Sequence, residues 1–225
     1  MPLDSTRIRA LCFDIDGTLR DTDDQMVQQF VNLLRPLRLL FPEHNTRVYA
    51  RRIVMSLEEP GNFLHGLIDA LHVDAILARL GDRFSKPCDQ PKTPPPLIVP
   101  GVRAMLAALS QRYPLSIVSA RGQRSTQIFL DCHALAPFFQ VVVTGQTCEH
   151  TKPYPDPILY AAEQMNVSAA QCLMIGDTTV DIRAGRAAGS QTVGVLCGFG
   201  QEGELARAGA DLILPSTAAL TDHLL

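Results

Sequence analysis

Asp14 and Asp16 stand two residues apart, directly after the apolar run Ile8 to Phe13. The run reads as a buried strand, so both carboxylates sit where a strand ends and the chain turns. Open α/β sheets bind their ligands at that end of a strand. Two acids with one residue between them can divide work: one attacks or holds a metal, the other moves a proton. Gly17 lets the backbone turn sharply there and come close to a ligand. Three further apolar runs lead to polar groups: Leu115 to Val118 ends at Ser119, a third run precedes Lys152-Pro153, and Leu173 to Ile175 ends in Gly176-Asp177 with Asp181 four residues on. In a parallel sheet the carboxyl ends of strands share one edge, so these groups can converge.

The elements that must position them follow from periodicity. From Gly101 onward strands and helices alternate. Helices are predicted over Val102 to Arg112, Gln123 to Cys132, Pro155 to Met165 and Thr179 to Ala188. Strands are predicted over Leu115 to Ser119, Gln140 to Val143, Cys172 to Ile175 and Gln191 to Leu196, with Asp211 to Leu214 as a last edge strand before a C-terminal helix. Ser168 and Gln171 read as a capping box on a segment as short as one turn. Such alternation implies an α/β fold, a parallel sheet with helices on both faces. Between the first and second strands the pattern is helical. Thr22 can cap a helix through Leu40 with Val27, Phe30, Val31 and Leu34 on one face, kinked at Pro36. Further helical segments, Asn45 to Leu57 and Asn62 to Leu80, flank Pro60-Gly61. Lys86 to Pro100, with Pro91, Pro94, Pro95 and Pro96, reads as a stiff connector. The expected organisation is a core of residues 1–19 and 97–225 and a helical insertion of residues 20–96.

At 225 residues the chain has room for one large domain or a domain plus an insertion. A net charge of -3 with scattered Lys and Arg gives no nucleic-acid footprint. No apolar run is long enough to span a bilayer, and Met1 to Arg9 has no apolar signal core. The six cysteines form no CxxC pair. They are expected to be reduced structural thiols, Cys12 and Cys172 in buried strands, in a cytoplasmic protein. Monomer and homodimer are equally open.

Taken together, Asp14-Ile15-Asp16-Gly17-Thr18-Leu19, Ser119, Lys152-Pro153 and Gly176-Asp177-xxx-Asp181 resemble, in order, the four motifs of the haloacid dehalogenase superfamily. The resemblance covers nearly the whole chain. It is closest to the phosphatase branch with a helical cap after the first motif, as in phosphoglycolate phosphatases. It implies a Rossmann-like core with an inserted α-helical cap domain. It also implies a Mg²⁺-dependent phosphatase that hydrolyses a small phosphate ester, phosphoglycolate- or sugar-phosphate-like, through an aspartyl-phosphate. By the same resemblance Asp14 is the nucleophile and Asp16 the general acid and base, and Ser119 and Lys152 bind phosphoryl oxygens. Asp14, Asp16 (through its carbonyl), Asp177 and Asp181 form the metal site, with Asp181 acting through water or by positioning Lys152.

Two positions depart from the family pattern. Relatives often place Asn after the Ser or Thr, where this chain has Ser119-Ala120-Arg121. Arg121 can contact an anion or be a solvated loop arginine. Arg20 replaces the usual apolar residue after the first motif, near the expected cap hinge, and faces either the site or solvent. In the cap, Arg47, Arg51 and Arg52 could hold a second anionic group or form an exposed face. His65 and His72 read as packing or surface residues.

The chemistry suits these assignments. Phosphate monoesters are so inert that enzymes accelerate their hydrolysis by up to ~10²¹-fold. An anionic nucleophile meets an anionic phosphate, so Mg²⁺ and a lysine must cancel charge. An ordinary aspartic acid, of pKa ~3.9, is protonated in only about one molecule in a thousand at pH 7. An acid at position 16 therefore calls for burial, which a closed cap would supply. A phosphomutase of the same family and a non-catalytic phosphate-binding protein are the alternatives. A phosphonate hydrolase is disfavoured because no lysine lies between Leu19 and Ser85 to form a Schiff base. A dehalogenase has no need of Asp16.

Overall fold

In the computed structural model, residues 3–21 and 97–225 are described. The helices expected between Thr22 and Leu80, the proline-rich connector up to Pro96, and with them the cap arginines and histidines, lie outside those residues. The described part is built on six strands: β1 (Ala10–Phe13), β2 (Leu115–Val118), β3 (Val141–Val143), β4 (Cys172–Gly176), β5 (Gln191–Val195) and β6 (Leu212–Leu214). Every pairing is parallel, and the order across the sheet is β3-β2-β1-β4-β5-β6.

Helices alternate with the strands: α1 (Val102–Leu109), α2 (Gln123–Cys132), α3 (Asp156–Gln164), α4 (Thr179–Ala187), α5 (Glu202–Ala208) and the short α6 (Thr221–Leu224). The reason they cover both faces lies in β1 and β4, which are apolar on each side. Leu11, Phe13, Leu173 and Ile175 point into one core with Leu106 of α1 and Phe129 of α2. Ala10, Cys12, Cys172 and Met174 point into the other with Ile158 of α3 and Ala184 of α4. Period-2 alternation sends successive side chains to opposite faces, so a strand that is apolar throughout needs a helix layer on each. Phe13, Leu11, Ile175 and Leu173 are fully buried, and each contributes roughly 1.5–3 kcal/mol of hydrophobic stabilisation.

The chain winds outward from β1 through β2 to β3, then crosses back to place β4 on the other side of β1. The winding direction therefore reverses at β1 and β4, which opens a crevice beyond their carboxyl ends. The segments that leave and rejoin the sheet run side by side there. Asp21 N donates to the Leu97 carbonyl at 3.0 Å, and Val99 N to the Leu19 carbonyl at 3.0 Å.

Sequence and structure differ at three places. The helix expected to run to Arg112 ends at Leu109, because the chain turns there to bring Tyr113 into the core. Helix α5, short, charged and anchored only by buried Leu205, gave no periodic signal. Cys132 is disulfide-bonded, which corrects the expectation of reduced thiols throughout. It sits half-buried at the end of α2. Cys12, Cys148, Cys172 and Cys197 are free.

Candidate active site

Asp14 is the first residue beyond β1. Its backbone N donates to the Ile175 carbonyl of β4 at 2.9 Å, which fixes it at the crevice. Lys152 reaches it from the loop after β3. The Lys152 ammonium donates to Asp14 Oδ1 at 2.7 Å and to Asp181 Oδ1 at 2.6 Å. All three side chains are buried.

Asp181 holds its place through the start of α4. Thr178 caps that helix, accepting from the Asp181 N–H. Asp181 Oδ2 returns the contact, accepting from Thr178 N at 3.1 Å and from Thr178 Oγ1 at 2.7 Å. One oxygen of Asp181 therefore closes a capping box while the other faces Lys152. Asp177, which could have been the cap itself, is released from that task and turns into the crevice. Its Oδ2 accepts from Phe199 N at 2.8 Å, and Thr18 Oγ1 lies 3.4 Å from its Oδ1. Glycines admit it: Gly17 has a φ of 73°, and a Cβ on Gly17 or Gly198 would overlap Asp177 Oδ2. Thr18, Thr178 and the Gly198-Phe199-Gly200 loop are the supporting residues that sequence reasoning did not assign. The glycine doublet after β5 was the available signal.

Oxygens of Asp14, Asp177 and Asp181 all lie within 4.8 Å of one another. Burial pushes the Asp14 carboxyl up to about 7, with the charges of Asp181 and Asp16 adding to the effect and Lys152 opposing it. Burial also drives Asp177 well above the usual carboxylate range, again reinforced by Asp181 and Asp14. Burial alone would lower the Lys152 ammonium, but its two acidic partners outweigh that and hold it above its ordinary value. Lys152 bridges two of the three carboxylates, so with all three ionised the cluster has a formal surplus of two negative charges. An all-oxygen donor set with that surplus fits a hard divalent cation such as Mg²⁺.

Asp16 does not join this cluster. Its side chain is 33% exposed, and Arg121 Nη1 donates to its Oδ1 at 2.9 Å and to its Oδ2 at 3.2 Å. Arg20 Nη1 donates to the same Oδ1 at 3.2 Å. Both uncertain arginines therefore face the site. The burial expected around an acid at position 16 is not what surrounds it among the described residues; two guanidiniums do. Ser119 lies buried at the end of β2, next to β1, and its Oγ accepts from Arg121 N at 3.3 Å. The short turn so formed aims Arg121 at Asp16.

Comparisons with known proteins identify the family of the chain. A family model described as "Haloacid dehalogenase-like hydrolase" matches residues 11–195. A Dickeya dadantii protein described as "Probable phosphatase IndB" is 30% identical over 204 residues, covering 90% of this chain and 87% of that one. A phosphoglycolate phosphatase of Nitrosospira multiformis is 28% identical over 211 residues, covering 93% and 92% of the two chains. Among solved structures, a haloacid dehalogenase-like family hydrolase from Streptococcus pneumoniae superposes with a TM-score of 0.62 at 20% identity. That match covers 98% of this chain and all (100%) of the other.

Proposed function

The chain belongs to the haloacid dehalogenase-like hydrolases and is a phosphatase, and from that premise we propose that it is a cytoplasmic, Mg²⁺-dependent enzyme that hydrolyses a small phosphorylated metabolite through an aspartyl-phosphate on Asp14. The observation that carries this reading is the Lys152 bridge between Asp14 and Asp181, set beside Asp177 in the β1/β4 crevice.

In this reading an Asp14 oxygen attacks phosphorus and the ester bond breaks. Asp16 gives the leaving oxygen its proton, and then takes one from the water that attacks the aspartyl-phosphate. Lys152 is already in contact with the nucleophile. It neutralises charge that builds on the phosphoryl oxygens, with Ser119 and Arg121 as further donors. Asp181 keeps Lys152 aimed. Asp14, Asp177, the Asp16 carbonyl and Asp181 would hold Mg²⁺, which would supply the remaining charge neutralisation on the phosphate. Residues 20–96 act as a cap that excludes water from the site.

Phosphate release from an aryl phosphate with Mg²⁺ tests the reading. Asp14→Asn is expected to abolish turnover while the protein still unfolds cooperatively. Inorganic phosphate as the product, in the presence of a sugar phosphate, excludes the mutase alternative. Absence of turnover across a broad phosphate panel would sink the proposal in favour of a binding protein.

A further inference from the structure

Asp14, Asp177 and Asp181 are buried and fixed by bonds to Lys152, to Phe199 N or within the cap of α4. Asp16 has none of these. Among the described residues its carboxylate is held by arginine alone. Arg121 Nη1 donates to both of its oxygens, at 2.9 and 3.2 Å, and Arg20 Nη1 to Oδ1 at 3.2 Å. The two guanidiniums are not equivalent. Arg20 belongs to the same turn as Asp16: their backbones bridge, and Gly17 N donates to the Arg20 carbonyl at 2.9 Å. Arg20 is therefore placed by the turn that it would have to place.

Arg121 comes from a different strand end and is anchored there. Its backbone N donates to Ser119 Oγ at 3.3 Å, and its carbonyl accepts from Gly145 N at 2.8 Å. Ser119 N in turn donates to the Val143 carbonyl of β3 at 3.0 Å. Arg121 is thus tied to the end of β2 and to the start of the loop that brings Lys152 to Asp14. Through it, the position of Asp16 is referred to the same framework as the nucleophile. A second sign lies in the guanidinium itself. Arg121 Nε is buried and has no hydrogen-bond partner among the described residues. A buried donor left unbonded is costly and calls for a reason. Turning the guanidinium so that Nη1 reaches both Asp16 oxygens supplies one.

Proton transfer demands this kind of placement. The acid must lie within hydrogen-bond reach of the departing oxygen, and a displacement of about 1 Å costs on the order of 100-fold in rate. A carboxylate offers about four lone-pair sites. Oδ1 accepts from both arginines and Oδ2 from Arg121, which leaves Oδ2 the freer oxygen. We propose that Arg121 is the positioning residue for Asp16, fixing its carboxylate so that Oδ2 carries the proton to the leaving oxygen. This rests on the phosphatase reading and gives Arg121, besides its contact to phosphate, a task performed through Asp16. In that step a bond forms between an Asp14 oxygen and phosphorus, the ester bond breaks, and the Oδ2 proton passes to the departing oxygen. The same carboxylate then takes a proton from the water that attacks the aspartyl-phosphate.

Two aryl phosphates of similar shape separate the two tasks: 2,4-dinitrophenyl phosphate, whose phenolate leaves without a proton, and phenyl phosphate, whose oxygen needs one. Each is run with Mg²⁺ on the wild type, Arg121→Gln and Arg121→Lys, with thermal unfolding in parallel. The quantity read is kcat/KM, which covers formation of the aspartyl-phosphate. Arg121→Gln is expected to lower it about tenfold for dinitrophenyl phosphate, as a phosphoryl donor is lost, and about 10²–10³-fold for phenyl phosphate, as acid catalysis is lost as well. Arg121→Lys keeps the charge without the planar fork. It retains the first rate and recovers only part of the second, and it carries the comparison if Arg121→Gln does not unfold cooperatively. Rapid mixing of Arg121→Gln with dinitrophenyl phosphate gives a larger burst of dinitrophenolate than the wild type, because hydrolysis of the aspartyl-phosphate uses Asp16 as base; absence of that burst counts against the positioning. In an Asp16→Asn background, Arg121→Gln lowers both substrates by the same factor. Equal falls on both substrates in the single variant show a contact to phosphate only and overturn the inference. Faster reaction of phenyl phosphate shows that Arg121 restrains Asp16 and overturns it too. Turnover of neither substrate by the wild type defeats the phosphatase reading and the inference with it.

Discussion

The acids at positions 14 and 16 occupy opposite halves of one site. The inner half holds Asp14, Asp177 and Asp181 around a single buried lysine and carries excess negative charge. The outer half holds one half-buried carboxylate between two arginines. The acids of the inner half suit a divalent cation. One strand end thus places two acids in different surroundings, because the chain leaves β1 after Phe13 and turns at Gly17, where φ is 73°, so Asp14 stays at the sheet edge while Asp16 is carried out beside the arginines.

The sharpest way to separate the halves is to remove one cation from each. Lys152→Met leaves buried acids without their counter-ion. It is expected to cut kcat on an aryl phosphate by about 10²–10³-fold and to cost about 3–5 kcal/mol in urea unfolding without metal. Arg121→Gln, in a pair that keeps solvent contact, should cost under about 1 kcal/mol. Equal destabilisation by the two variants breaks the distinction between buried and wet halves.

A smaller effect follows from protonation. Asp14 titrates at about 7 in the folded protein against ~3.9 unfolded, so the folded state keeps the proton to higher pH. Stability linked to that proton is fully present below about pH 4 and is lost as pH rises through about 7. Metal-free protein should therefore lose melting temperature across this window relative to Asp14→Asn. Mg²⁺ should restore more of it at pH 7 than at pH 5. Thermal unfolding scans with and without Mg²⁺ check both; a metal-free wild type that gains stability over Asp14→Asn as pH rises contradicts the charge surplus.

The smallest effect lies one contact further out. Thr178→Ala removes the cap of α4 and one of the partners of Asp181 Oδ2. It is expected to cost about 1 kcal/mol with a modest loss of kcat, read from denaturant midpoints and aryl phosphate kinetics. A loss of activity as large as that of Lys152→Met would place Asp181 in the chemistry rather than in the support of Lys152.

Much of the core was legible because its signals are local. Apolar runs such as Leu115–Val118 fixed the strands, and Gly101 and Gly189 marked helix boundaries. The order of Asp14, Ser119, Lys152 and Asp177 placed the inner cluster at one sheet edge. Helix α5 escaped because a seven-residue charged segment with one buried leucine has no periodicity to detect. Thr178 escaped because Asp177 beside it was an equally good cap by composition.

The amino-acid sequence by itself determined that acids and a lysine stand at the ends of parallel strands, since alternation and motif order are properties of the chain. Tertiary structure alone decided how those groups pair. Arg20 and Arg121 are separated by a hundred residues, and their long side chains could have met solvent equally well. Their convergence on Asp16 and the sharing of Lys152 between two acids depend on where distant segments come together, which no local pattern encodes.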